Sequence, residues 1–254
     1  MRVLPWKSAP LVMVLVMAAP ATHAGLITHY TMAEVPDAVL SDVSGHGHHG
    51  TISGASWSTG ARGPALTFDG VDDYVTVLSS SWLNPTEALT VMAWVKWDID
   101  PQTGRPWASI VSKNADNQYR LQHNQTNTAF EFAVRTTAGN RWVAGTTVPA
   151  LDRWYHVAGT YDGGFLRLYV DGVLENSAAH SGSLLSSGSP LNIGRRAGAN
   201  DRHFAGGIAD VRLYDQALTG AEIAHAIPEP ATLGLVGLGA WVLLARRRGR
   251  RTAP

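Results

Sequence analysis

Period-two alternation of apolar and polar residues recurs along this chain and constrains its fold more than any other feature. The run Ala129-Phe130-Glu131-Phe132-Ala133-Val134-Arg135 sends Phe130, Phe132 and Val134 to one side and Glu131 and Arg135 to the other, because successive side chains of a strand point to opposite faces. Phe165-Leu166-Arg167-Leu168-Tyr169-Val170 alternates in the same way. Leu89-Thr90-Val91-Met92-Ala93-Trp94-Val95-Lys96-Trp97 is largely apolar on both sides, as in a central strand covered on both faces. Asp162-Gly163 and Asp171-Gly172 bracket the 165–170 strand and supply the positive-φ residues of tight hairpin turns. One short helix is predicted after Thr219, where Thr219 and Glu222 form a capping box before Ile223. Strands and turns at intervals of about 8–12 residues predict a β-sandwich or jelly roll. Neither a linker nor an internal repeat interrupts them, so residues 25–226 are read as one domain.

The two ends read differently. Met1-Arg2-Val3-Leu4-Pro5-Trp6-Lys7 precedes an apolar run over 11–19 and the small-residue stretch Ala21-Thr22-His23-Ala24. A basic start, a short apolar core and an A-x-A-like end make a secretory signal peptide over 1–24. At the other end, Pro228-Glu229-Pro230 is followed by 15 uncharged residues, 231–245, and then by Arg246-Arg247-Arg248-Gly249-Arg250-Arg251. At about 1.5 Å per residue a helix of that length is a short, marginal membrane span. The Arg cluster holds its C-terminal end on the cytoplasmic side. These three ordered elements, over 227–251, resemble the PEP-CTERM sorting signal of Gram-negative bacteria. The resemblance implies recognition by an exosortase, transient residence in the inner membrane, and delivery to the cell envelope or extracellular polysaccharide matrix.

Charge and cysteine content narrow the function of the middle. The whole chain has 20 basic and 20 acidic residues and no cysteine, which excludes disulfides, thiolate metal sites and a cysteine nucleophile. Without both end segments, residues 25–227 hold 13 basic and 19 acidic side chains, a net charge of −6. The Arg cluster belongs to the tail and not to the folded domain, so no nucleic-acid partner is expected. An acidic domain favours cations over anionic polymers.

The motif order in the middle is also distinctive. Asp42-Val43-Ser44-Gly45-His46-Gly47-His48-His49-Gly50 is followed by Leu66-Thr67-Phe68-Asp69-Gly70-Val71-Asp72-Asp73-Tyr74-Val75. Then come Trp154-Tyr155-His156-Val157-Ala158-Gly159-Thr160-Tyr161-Asp162-Gly163, Leu168-Tyr169-Val170-Asp171-Gly172 and Gly207-Ile208-Ala209-Asp210-Val211-Arg212-Leu213-Tyr214. In this order the phrases resemble the laminin G-like, concanavalin A-like jelly-roll family. That resemblance implies an all-β fold, a single jelly-roll β-sandwich between the signal peptide and one C-terminal membrane helix. It also implies a calcium ion held by Asp42 in the Gly-rich loop and Asp210 in the closing strand. Where the family reads Ile-Asp-Glu-Val, this chain reads Ile208-Ala209-Asp210-Val211, and an acid in the second position points to the opposite face. His46, His48 and His49 are metal-capable imidazoles, but without HExxH spacing they are read as a solvated loop.

Catalysis is not expected. Glycoside hydrolysis needs two carboxylates about 5–9.5 Å apart, yet Glu131 stands alone on its strand and adjacent Asp72 and Asp73 diverge. Binding fits better. Arg120, Gln122, Glu131 and Arg135 share a polar strand face if their strands are neighbours, and Trp107 and Trp142 in nearby turn-rich stretches offer stacking surfaces for sugar rings. Trp94, Trp97 and Trp154 are read as core. The sequence therefore points to an exported, non-enzymatic domain binding glycan or an envelope or matrix protein. A ligand-free structural matrix protein is the alternative, and a glycoside hydrolase or lyase is a more distant one.

Overall fold

The computed structural model describes residues 25–227, apart from 34–37, 61, 102–106, 115–117, 125, 127 and 200. The signal peptide, the Pro-Glu-Pro segment, the membrane helix and the Arg cluster lie outside the described residues. No helix among the described residues is long and apolar enough to cross a membrane.

Among the described residues, sixteen strands and one helix follow one another. They begin β1 (Leu26–Tyr30), β2 (Val39–Leu40), β3 (Gly50–Ser53), β4 (Ser56–Gly60), β5 (Gly63–Asp69) and β6 (Tyr74–Val77). The middle of the chain gives β7 (Leu89–Trp97), β8 (Ala108–Lys113), β9 (Tyr119–Asn124), β10 (Ala129–Thr136) and β11 (Gly139–Ala144). Then come β12 (Trp154–Tyr161), β13 (Phe165–Val170), β14 (Val173–Ala179), β15 (Leu191–Ile193), β16 (Ala205–Tyr214) and helix α1 (Gly220–Ala226). A first sheet has the order β14-β13-β12-β7-β16-β5-β4, with β1 also on β16, and a second has β11-β10-β9-β8-β15-β6-β3-β2. Every pairing between these strands is antiparallel. This is the all-β sandwich that the alternation predicts.

The sheets close over a core fed by one side of each strand. Val91, Ala93, Val95 and Trp97 of β7 share one buried cluster with Phe130, Phe132 and Val134 of β10. Trp97 sits 5.3 Å from Phe130 and 4.9 Å from Phe204, ring to ring. The described core runs from Ile27 to Ile223, so residues 25–227 carry their own. The other side of β7 is covered too. Met92 packs with Ala158, Tyr169, Tyr214 and Ile223, which is why β7 reads apolar on both faces.

Trp94 and Trp97 are buried in the core cluster as expected, and Trp154 is partly buried against it. Position 94 is an odd step from 97, so Trp94 takes the outward side of the first sheet, where it pairs with His156. It is buried there because the Arg62 guanidinium lies 3.0 Å above its ring centre. Trp154 pairs with Lys96 on that same outward side and is only half-buried.

Local signals read from sequence recur in place. Asp171 and Gly172 have φ of 49° and 79°, the two left-handed residues that join β13 to β14 in a tight hairpin. Thr219 accepts from the Glu222 backbone N–H at 3.3 Å while the Glu222 carboxylate accepts from the Thr219 backbone N–H at 2.8 Å. Asp210 has φ of 48° and stands in a bulge of β16. Before that bulge β16 pairs with β5 and after it with β1, so one irregular residue lets a single edge serve two strands.

Candidate functional site

The polar strip on β9 and β10 is real, because these strands are neighbours. Cross-strand register sets Gln122 opposite Glu131 and Arg120 opposite Ala133. It continues to β11, where Ala133 faces Trp142 and Arg135 faces Asn140. Residues directly opposite stand about 4.5–5.5 Å apart, and diagonal neighbours about 7–8 Å. The row Arg120–Ala133–Trp142 therefore places a guanidinium, a methyl group and an indole side by side, with Arg135 diagonal to Arg120. Ala133 is itself buried between the two longer side chains, and Arg120 leans onto Glu131 at 3.4 Å. Trp142 is 54% exposed.

Beside that row the strip is closed. Glu131 is buried and accepts from Gln122 Nε2 at 2.8 Å, from Arg120 Nη2 at 3.4 Å and from Asn124 Nδ2. Gln122 Oε1 in turn accepts from Arg202 Nη1 at 3.3 Å, and the Arg202 guanidinium lies 4.9 Å from the Trp107 ring centre. The structure thus connects Trp107 to Gln122 through Arg202. Arg195 lies 3.3 Å over Tyr74 and donates to Asn192 Oδ1 at 3.4 Å. The chain from 194 to 204 is fastened to β8 by Gly194 N–H to the Ile110 carbonyl and by Ser109 N–H to the Arg202 carbonyl.

Glu131 is a poor candidate for catalysis in this setting. Its carboxylate has three side-chain donors, and among the described residues no second acid stands on this face of β8 to β11. A sugar bond cannot be flanked by one carboxylate.

Of the six residues expected to bind, the structure gathers Arg120, Gln122, Glu131, Arg135 and Trp142 on one sheet face and joins Trp107 from its rim. Sequence reasoning did not find Asn124, Ala133, Arg195 or Arg202. The alternation of β10 already placed Ala133 on the polar side, but its role depends on what flanks it. Arg202 reaches Gln122 across 80 positions of sequence, which no local pattern encodes.

Asp42 and Asp210 each have other partners. Asp42 Oδ1 accepts from the N–H groups of His29 and Ser44, at 3.0 and 2.9 Å. Its Oδ2 accepts from Ser44 Oγ and from the His48 N–H, both at 2.9 Å. Burial alone raises the Asp42 carboxyl, but these donors outweigh it and hold the group below the ordinary carboxylate range. Asp210 is gripped at both oxygens by Arg212, at 2.9 and 2.8 Å, and lies 2.7 Å from His29 Nε2. Burial works against this carboxylate too, and His29 and Arg212 hold it low. The chain's Ala209 pairs with Trp94, and the acid one step later sits in the bulge. An ion shared by Asp42 and Asp210 fits poorly here: one carboxylate is saturated by donors, the other neutralised by an arginine. Among the described residues, the three acids within reach of a common ion are Asp69, Asp72 and Asp73. Asp69 and Asp73 brace their own turn, accepting from the N–H groups of Val71 and Asp69 at 2.7 and 2.8 Å.

Two antiparallel sheets, a filled core and a sheet face bearing an exposed indole beside arginines define a lectin-like jelly-roll domain. The chain belongs to the concanavalin A-like lectin/glucanases superfamily, whose laminin G-type model matches residues 69–224. Residues 226–251 match the PEP-CTERM protein-sorting motif. No curated protein matches. Among solved structures, the binding domain of Paraclostridial Mosquitocidal Protein 1 is 14% identical with a TM-score of 0.65, covering 80% of this chain and 52% of that one. Domain 4 of AbnA, an extracellular arabinanase from Geobacillus stearothermophilus, in complex with arabinotriose, is 19% identical with a TM-score of 0.62, covering 81% and 99%. The botulinum neurotoxin serotype D ligand binding domain in complex with N-acetylneuraminic acid is 15% identical with a TM-score of 0.64, covering 80% and 50%. This chain thus spans about half the length of the two toxin domains and nearly all of the arabinanase domain. At these identities the likeness concerns the fold.

Proposed function

We propose that this protein is an exported, non-enzymatic carbohydrate-binding domain whose contact row is Arg120–Ala133–Trp142, with Arg135 beside it. The signal-like N-terminus and the sorting motif direct it to the cell envelope or its polysaccharide matrix, with an exosortase acting on the tail. The observation that carries the reading is that row: an exposed indole to stack on a sugar ring, with guanidinium groups on the same sheet face. Solved structures of this fold that hold an arabino-oligosaccharide or N-acetylneuraminic acid agree with it.

Charge selects among glycans. The domain is acidic overall, at −6, which by itself disfavours polyanions. Its distribution reverses that locally. Arg120, Arg135, Arg195 and Arg202 gather on or beside this face, where Glu131 is the one acid that the described residues of β8 to β11 carry and Asp201 is paired with Arg196. Guanidinium groups suit carboxylates, so an acidic, uronate-type glycan is the favoured ligand. Calcium is not required by this arrangement.

Electrophoresis of residues 25–227 through gels containing polygalacturonate tests the reading. Retardation should weaken as salt rises, and Arg135→Ala and Trp142→Ala should each weaken it roughly tenfold. A domain that runs freely, or whose retardation both substitutions leave intact, overturns the reading. Free running is also what a purely structural matrix protein predicts.

A further inference from the structure

At the other edge of the second sheet a different aromatic is presented. β10 and β6 stand four strand spacings apart, roughly 19 Å at about 4.8 Å each. Just past β6, Trp82 is 55% exposed. Its indole stacks on the His46 imidazole with centroids 4.8 Å apart and planes 25° from parallel. His46 is held from behind: Nδ1 lies 3.0 Å from the Ile27 carbonyl and 3.2 Å from Ser44 Oγ. A carbonyl only accepts, so Nδ1 carries the proton and the outward Nε2 is left an acceptor. The neighbouring His48 ties the two loops together, with Nε2 2.9 Å from Ser80 Oγ. The exposure of Trp82 is therefore not slack. One indole face is covered by a fixed imidazole, and the rest is open to solvent.

From this we infer a second carbohydrate contact, in which Trp82 stacks on the apolar face of a neutral sugar ring and His46 Nε2 accepts from a ring hydroxyl. Rigid, exposed aromatic rings give large contact area at low entropic cost. Neutrality follows from composition: segments 38–60 and 78–88, which build this end, hold no Lys or Arg. The site stands on Trp82 and His46 and not on the Trp142 row. Two contacts about 20 Å apart allow one domain to gain avidity on a single polymer or to bridge two.

Residues 25–227 in gels of hydroxyethylcellulose and of arabinan, both neutral, test this. Wild type should be retarded by at least one of them. Trp82→Ala should weaken that retardation roughly tenfold, with Trp82→Phe close to wild type and thermal unfolding unchanged. Polygalacturonate retardation should survive Trp82→Ala, and the neutral-gel retardation should survive Trp142→Ala. Free running of wild type in both neutral gels overturns the second site, as does a Trp82→Ala variant retarded like wild type. In the neutral gels, loss on Trp142→Ala with Trp82→Ala retarded like wild type sinks this proposal and leaves the first reading standing; in polygalacturonate, retardation that Arg135→Ala and Trp142→Ala both leave intact sinks the first reading and leaves this one standing. Phosphatidylglycerol vesicles bound through Trp82, with no neutral polymer retained, assign the patch to a membrane surface and overturn the sugar assignment.

Discussion

His156 makes the domain sensitive to mild acid, and replacing it should remove most of that sensitivity. Its side chain is buried on the outward side of the first sheet, 5.2 Å from the Trp94 ring centre. Burial pushes its pKa down from 6.5 to about 4; Asp210 opposes this, and the Arg212 and Arg62 guanidinium groups reinforce it. Sign follows from proton counting. Between pH 6.5 and 4 the unfolded chain binds this proton and the folded one does not, so stability falls as pH drops through that window. The full penalty is about 3.4 kcal/mol, reached below pH 4, and about 2 kcal/mol is already lost at pH 5.0. For a domain of this size that corresponds to roughly 4–8 °C in Tm. Asp42 and Asp210, held below the ordinary carboxylate range, stay ionised at pH 5.0 and do not add to it. Urea unfolding at pH 7.5 and 5.0 should show wild type losing about 2 kcal/mol more than His156→Phe between the two conditions. Phenylalanine keeps the ring beside Trp94 and removes the titrating nitrogens. Equal losses in the two proteins would refute the assignment.

Other perturbations have defined outcomes. Lys113 is buried with Nζ donating to Ser79 Oγ at 3.0 Å, to the Ser189 carbonyl at 2.5 Å and to the Ser187 carbonyl at 3.3 Å, and burial lowers its pKa to about 8. The unfolded chain keeps that proton up to about 10.5, so wild type should gain about 1.4 kcal/mol from pH 7 to 9 in urea titrations; Lys113→Met should not. Asp42→Ala strands four donors and should cost about 2–4 kcal/mol, equally in excess calcium and in chelator; a drop seen only with calcium would reinstate Asp42 as an ion ligand. Gly159 faces the Phe132 ring, which an added Cβ would meet at 2.2 Å. Gly159→Ala should cost about 1–3 kcal/mol, and Phe132→Leu in the same chain should recover part of it by thermal unfolding.

The sequence by itself determined the class of fold, because a strand's two faces are written two residues apart. Phe130, Phe132 and Val134 had to share a side wherever β10 lay, and the double-sided apolar run at 89–97 had to be covered twice. Turn and cap signals were equally local: Asp171-Gly172 and the Thr219–Glu222 box involve residues one to three positions apart. The polar members of the candidate site were legible for the same reason, as the other side of β9 and β10. What sequence could not carry was adjacency between distant segments. Only strand order brought Arg120, Ala133 and Trp142 into one row, and only the folded 194–204 segment delivered Arg202 to Gln122. The bulge at Asp210 sets that carboxylate against Arg212, an arrangement made by backbone register in β16. Overall charge is limited for a related reason, since a sum over the chain carries no position. The −6 of the domain and the arginines around Trp142 coexist because packing, not composition, decides which charges share a face.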